Sequence, residues 1–273
     1  MIVVCTKWVA HPGEPFDERY AGASPADRAA LELALRQAAL TGDEVAVVTV
    51  GPAGADGVLR EAAAAGAHRC VRADAPVGIS SAAVADAIVA AVRDVVGGVS
   101  WVWCGDYSLD RGSASVPAFV AHGLHARQAL GVIEVDMSST SVRAVRRLDA
   151  GRREVVELSS PAVVSVEGSV ATLRRASLSG VRAAAAVPIT VVTPPAVLVE
   201  EPLVRPYRPR ARALAAPAGG SAVDRVRALT TTGGSGRGEV VELSPDAAAR
   251  RILDALVGWG YLSADADGAY RRS

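Results

Sequence analysis

The chain has 273 residues and only one lysine, Lys7, among its 29 basic residues. It also has only three cysteines, two phenylalanines and two methionines, and aromatics make up 4% of it. Its 29 acidic residues cancel the basic ones to a formal net charge of zero. A neutral balance argues against nucleic acid or a direct membrane association as the main role, since both favour a basic surface. Cys5, Cys70 and Cys104 show no metal-ligand spacing and read as small buried hydrophobes in a reducing compartment. No apolar run approaches the ~20 residues that span a bilayer. The start, MIVVCTKW, lacks a signal peptide's charged opening and long apolar stretch, so a cytoplasmic location is expected. Arginine in place of lysine, with abundant alanine, reads as the coding bias of a GC-rich bacterium.

Catalytic groups are scarce as well. There is no nucleophile elbow, no phosphate-binding P-loop, and no serine-rich loop after the first β-run of the kind adenylating enzymes use. His122 and His125 stand three apart on an expected helix, but no Cys, Asp or Glu nearby completes a metal set. The glycines of GGSGRG (233–238) follow no strand and read as a flexible loop rather than a dinucleotide fingerprint. A chain with neither catalytic residues nor metal ligands is expected.

Half of the residues are hydrophobic, enough for a sizeable core. Runs at 2–6, 44–50, 70–73 and 99–104 read as strands buried on both faces. Helical patterns lie between them: one starting at Ser24 and Pro25, one over 53–65 ending at Gly66, and one over 81–96. This alternation predicts an α/β three-layer sandwich with a mostly parallel sheet. Strand-like segments at 129–137, 141–148, 153–159 and 161–167, with a turn at 149–152, predict an antiparallel excursion at one edge. An α/β domain over 1–193 is expected, followed over 194–273 by a proline-rich extended arm and a C-terminal helix. That helix, 244–262, carries the stripe Ile252, Leu253, Leu256 and Val257, which needs another surface to cover it.

Three segments fall at expected strand ends: CTKWVAHPGEPFDERY (5–20), TVGPAG (49–54) and GDYSLDRGSASV (105–116). Ligands on such sheets collect at the carboxyl ends of the strands. Small Ser113 and Ser115 with a helix N-terminus near Ser113 suit a phosphate. On spacing alone, a ligand crevice lined by the loops after the first, second and fourth strands and a set of plain connections stand level.

The order K-W-V, E-P-F-D-E, A-x-E-x-A-L-R, V-x-V-G-P-A, L-R-x-A-x-A-x-G-A, C-G-D-Y-S-L-D and S-A-S-V resembles the β subunit of electron transfer flavoproteins. PAVVSVEG (161–168) and RRASLSGVRAAA (174–185) extend the resemblance through residue 193. It implies a nucleotide-binding α/β domain paired with an electron transfer flavoprotein α subunit in a heterodimer. FAD would be shared with or bound by that subunit, with AMP or a second FAD held in this chain. Carried over by position, the nucleotide site would use Cys5, Glu14, Pro15, Phe16, Asp17, Val50, Gly105, Asp110, Arg111, Gly112, Ser113, Ala114, Ser115 and Val116. Leu178, within a cationic rim of Arg174, Arg175 and Arg182, would dock a flavin-dependent, acyl-CoA-dehydrogenase-like enzyme. The chain departs from the family at Asp106, at Arg111-Gly112 and at Ser115, and S-A-S-V is nearer the Fix-type form. The competing reading is a stand-alone adenine-nucleotide-binding sensor similar to universal stress proteins, which would need no second subunit.

Overall fold

The computed structural model describes residues 1–10, 18–194, 220–230, 241–259, 261–264 and 270–272. Its two compact units, Met1–Leu203 and Val204–Ser273, are taken separately.

In the first unit the apolar runs become β1 (Ile2–Thr6), β2 (Val45–Gly51), β3 (Arg69–Asp74) and β4 (Trp101–Gly105). They are followed by β5 (Arg127–Met137), β6 (Ser141–Arg147), β7 (Arg153–Ser159), β8 (Ala162–Val166) and β9 (Ile189–Val192). All nine join one sheet in the order β7-β6-β5-β8-β4-β1-β2-β3-β9. Pairing is parallel from β5 to β9 across that order, and antiparallel at β5-β6 and β6-β7. The expected edge excursion is there. The strand β9, which pairs with β3, is an addition to the sequence reading.

Strand residues alternate between two cores, as period-2 geometry requires. Ile2, Val4, Val47 and Trp103 face α1 (Pro25–Thr41) and α2 (Asp56–Ala65), meeting Leu31, Leu35 and Leu59. Val3, Val48 and Val102 face α3 (Ser81–Ala91) and α4 (Val116–Gly123), meeting Ile88 and Val120. The buried indole N–H of Trp103 donates to Gln37 Oε1 at 2.8 Å, so the core holds no orphan at that point. Helix boundaries depart from expectation: α2, expected from 53, begins at Asp56 after a 3₁₀ turn over Ala53–Ala55, and the C-terminal helix expected over 244–262 spans Pro245–Gly258, with Leu262 already in a short strand. The α-helix expected to reach 96 ends at Ala91 and continues as a π turn over Val92–Val96. The helix expected from Ser113 begins at Val116.

Leu178, expected to dock a partner from a loop, instead opens a helix, α5 (Leu178–Ala184), capped by Ser177 Oγ accepting from the Gly180 N–H at 3.0 Å. Gly180 lets α5 approach α2: a Cβ there would lie 2.7 Å from the Ala64 carbonyl oxygen.

The second unit contains α6 (Ala222–Thr230), α7 (Pro245–Gly258) and a two-stranded pair, β10 (Leu262–Ala264) with β11 (Tyr270–Arg272). On α7, Ile252 is exposed and Leu253, Leu256 and Val257 are half-buried. Most of the proline-rich arm lies outside the described residues.

Candidate functional site

Chain order reverses between β1 and β4: β2 and β3 build outward from one side of β1, while β4 adds on the other. Such a switch point opens a crevice beyond the strand ends, because the flanking connections leave over opposite faces. A cavity of about 360 Å³ sits there, within the usual size of a small-molecule site. Cys5 and Thr6 line it from β1, Lys7 from just past its end, and Cys104 and Gly105 from β4. Asp106–Ser108, Asp110, Arg111 and Ser113–Pro117 line it from the β4-α4 loop and the start of α4. An apolar wall comes from Val50, Pro76, Ile79, Val84 and Ile88.

The structure therefore gathers Cys5, Val50, Gly105, Asp110, Arg111, Ser113, Ala114, Ser115 and Val116 around one cavity. Gly112 belongs to the same loop at φ +56°, where a Cβ would lie 2.6 Å from the Tyr107 ring. Glu14, Pro15, Phe16 and Asp17 lie outside the described residues. The loop after β2, expected in the wall, contributes no lining residue beyond Val50 in its strand; the loop after β3, Pro76–Ile79, takes that place.

Sequence reasoning missed Asp27. Ser24 caps α1 by accepting from the Asp27 N–H at 3.0 Å, and Pro25 occupies the first turn. That geometry turns the Asp27 carboxylate inward, where Oδ2 accepts from the Lys7 N–H at 3.1 Å. The Gly105 N–H also donates to this carboxylate. One side chain thus ties the ends of β1 and β4 to the head of α1. Burial pushes its pKa up to about 6, against the opposing pull of the hydrogen bonds from Lys7, Ser24 and Gly105. Only glycine fits at 105, since a Cβ would lie 2.5 Å from Asp27 Oδ1 and 2.8 Å from its backbone nitrogen. The available signal was the cap pattern S-P-A-D at 24–27, which reveals a helix start but not what the acid touches.

An ion pair and a set of charge-dipole contacts frame the cavity. Lys7 Nζ donates to both Asp110 oxygens, at 2.7 and 2.6 Å. Burial raises the Asp110 carboxyl, but hydrogen bonds from Lys7 and Ser108 and the Lys7 charge outweigh it, so the net shift is downward. Arg111 donates to the carbonyls of Ile79 and Gly78 at 2.8 and 2.6 Å, joining the β4-α4 loop to the loop after β3. Ala114 holds φ +51°, and Ser115 follows in right-handed helical geometry. Successive left- and right-handed residues aim their N–H groups into one concavity, which suits an anion. The Thr6 hydroxyl, in a residue 7% exposed, has no hydrogen-bond partner among the described residues.

Cys5 and Cys104 are neighbours in register across β1 and β4. Their mutual hydrogen bond, with burial, raises the Cys104 thiol well above its ordinary range. It therefore stays protonated at neutral pH. Asp106 is also raised, by burial and then by repulsion from Glu167.

A second region lies along α2 and α5. Leu178 is 79% exposed, and Arg175 and Arg182 are exposed beside it. Arg174, read as a free rim charge, is held: its Nε and Nη2 donate to Glu32 at 2.9 and 3.1 Å, and its backbone N–H donates at 3.1 Å. Glu32 is a buried residue of α1 that also accepts from Arg36 at 2.8 Å. Burial raises Glu32, but the hydrogen bonds from Arg174 and Arg36 outweigh it and leave its carboxyl below the ordinary range.

The sequence profile of the electron transfer flavoprotein domain matches residues 16–197. The chain is 32% identical over 163 residues to the electron transfer flavoprotein subunit beta of Methylophilus methylotrophus, covering 58% of this chain and 61% of that protein. It is 31% identical over 164 residues to protein FixA of Rhizobium meliloti, covering 57% and 56%. It is 28% identical over 185 residues to the acryloyl-CoA reductase electron transfer subunit gamma of Anaerotignum propionicum, covering 66% and 68%. The matched stretch thus spans 56–61% of the length of the first two of these relatives.

Proposed function

The chain belongs to the electron transfer flavoprotein domain family, and on that premise we propose that it is a β-type subunit pairing one-to-one with an FAD-binding α-type subunit. In this reading its cavity holds an adenine nucleotide, and Leu178 docks a flavin-dependent dehydrogenase that delivers electrons. The redox chemistry belongs to the flavin when bound; this chain contributes the scaffold, the nucleotide cavity and the docking surface.

The observation that carries the reading is the cavity at the β1/β4 switch point. Its apolar wall suits the flat base, and the N–H groups around Ala114 with the N-terminus of α4 suit a phosphate. At about 360 Å³ it lies near the lower end for small-molecule sites, which favours a mononucleotide such as AMP over a complete second FAD. The stripe on α7 supports a role for 194–273 in binding the α-type subunit. No described helix is long and apolar enough to cross a membrane, in keeping with a proposed place in the cytoplasm.

Co-expression with an FAD-binding α-type subunit tests the pairing. The two chains should elute together in equal amounts with a flavin absorbance, and deletion of 194–273 should separate them. Separate elution of the intact chains would refute the pairing.

A further inference from the structure

We propose that Lys7 is the cation that reads the ligand's negative charge in this cavity, and that Asp110 occupies it until an anionic nucleotide takes Asp110's place. The inference rests on the cavity's being a nucleotide site. It adds the residue that reads the ligand's charge and the competitor that holds this residue beforehand.

Lys7 follows directly on β1 and reaches both oxygens of Asp110 in the β4-α4 loop. The two side chains are 41% and 36% exposed. An ion pair this open to water is weak and changes partners at little cost. Arg111, the other cation lining the cavity among the described residues, differs in kind: both of its terminal nitrogens are spent on the Gly78 and Ile79 carbonyls, so it fixes the wall. Lys7 is the lining cation held by a competitor that an anion can displace.

What would displace Asp110 is indicated by the rest of the loop. Ala114 keeps a positive φ that is unfavourable for any residue with a Cβ, and such strain persists where it serves a site. Consecutive left- and right-handed residues such as Ala114 and Ser115 form a backbone concavity with an affinity for anionic oxygens. The buried Thr6 hydroxyl, without a partner among the described residues, supplies a further polar atom. A phosphate monoester carries more charge than a carboxylate and three acceptor oxygens rather than two. It can therefore engage the N–H groups and Lys7 together, while Asp110 keeps its hydrogen bonds from Ser108 and the Arg111 N–H. A neutral nucleoside has no reason to break the pair, so the exchange separates phosphorylated ligands from bare ones.

The chain's single lysine makes the test direct. Reductive methylation with ¹³C-formaldehyde gives one side-chain signal in the full chain, from Lys7, besides the terminal amine at Met1. AMP should shift the Lys7 signal and adenosine should leave it in place. By calorimetry, Lys7→Met should weaken AMP about tenfold and leave adenosine within about twofold, while Asp110→Asn should tighten AMP by about threefold. AMP binding with an unmoved Lys7 signal, or equal losses of AMP and adenosine in Lys7→Met, would overturn the inference and leave the nucleotide site standing. Binding of neither ligand by the unmodified chain would overturn the nucleotide reading and the inference with it.

Discussion

Two carboxylates, Asp27 and Glu32, lie five residues apart on α1, both buried, and their pKa values move in opposite directions. Asp27 is held by neutral donors, the N–H groups of Lys7 and Gly105 and the Ser24 cap, which do not compensate for burial. Glu32 is held by two guanidinium groups, Arg174 and Arg36, which do. The first secures the concave floor of the cavity; the second pins the chain that enters the convex Leu178 turn. One helix therefore organises both regions, with a charge left costly at one end and satisfied in the middle. A concave site made of close backbone approaches should be vulnerable to added atoms, and a convex one to removed atoms.

The largest expected effect is at the tightest approach. Gly105→Val places atoms against Asp27 and the Ala26 carbonyl carbon, where even a Cβ would be 2.5 and 2.9 Å away. Urea unfolding should show a loss of about 3 kcal/mol or more, and an unchanged midpoint would mean that the α1 head is not seated on β4.

Next is the pH profile. The Asp27 pKa is raised from 3.8 to about 6, so the folded state holds its proton more tightly than the unfolded chain does. Its contribution is fully favourable below pH 3.8 and declines as pH rises through that window to about 6. The total is roughly 3 kcal/mol. Asp27→Asn should flatten the unfolding free energy over that range, and an unaltered slope would contradict the assignment.

Arg174→Ala removes one of the two guanidinium groups and leaves Glu32 with Arg36 and the residue-174 backbone N–H. Because Arg174 is itself partly exposed, the cost should be about 2 kcal/mol rather than that of a fully buried pair. Glu32 has a depressed pKa, so this stabilisation exists above the unfolded value of 4.5 and is lost as pH falls through the folded one. The penalty should be plain at pH 7 and vanish in strong acid. A purely docking role for Arg174 would leave stability untouched.

The smallest effect on stability belongs to Leu178→Ala, within about 0.5 kcal/mol for a side chain this exposed. It should nevertheless weaken dehydrogenase docking by about one to two decades, from the loss of roughly 1.5–3 kcal/mol of buried apolar contact. Stopped-flow electron transfer at low carrier concentration reads that loss.

The sequence made the layered sheet legible because β1, β2 and β4 are apolar on both faces, and only a covered parallel sheet asks for that. It also marked 105–116 as a bend of small residues. What it hid were contacts between distant segments. Asp27 looks like a cap residue until Gly105 is placed beside it. Pro76–Ile79 has no pattern that brings it to the cavity. Arg174 reads as a surface charge unless Glu32, 142 residues away, is known to lie beneath it. Strand β9 escaped because four residues beside a proline give too short a period, and α5 because a seven-residue helix shows little more than its Ser177 cap.

The most direct measurement is the nucleotide content of the complex with the FAD-binding partner. The denatured complex should release one adenine mononucleotide per copy of this chain in addition to FAD, identified by mass spectrometry. Ala114→Phe, which fills the concavity proposed to hold the phosphate, should release FAD alone. A complex that yields no adenine nucleotide beyond FAD, or an Ala114→Phe complex with an unchanged nucleotide content, would contradict the assignment of this cavity.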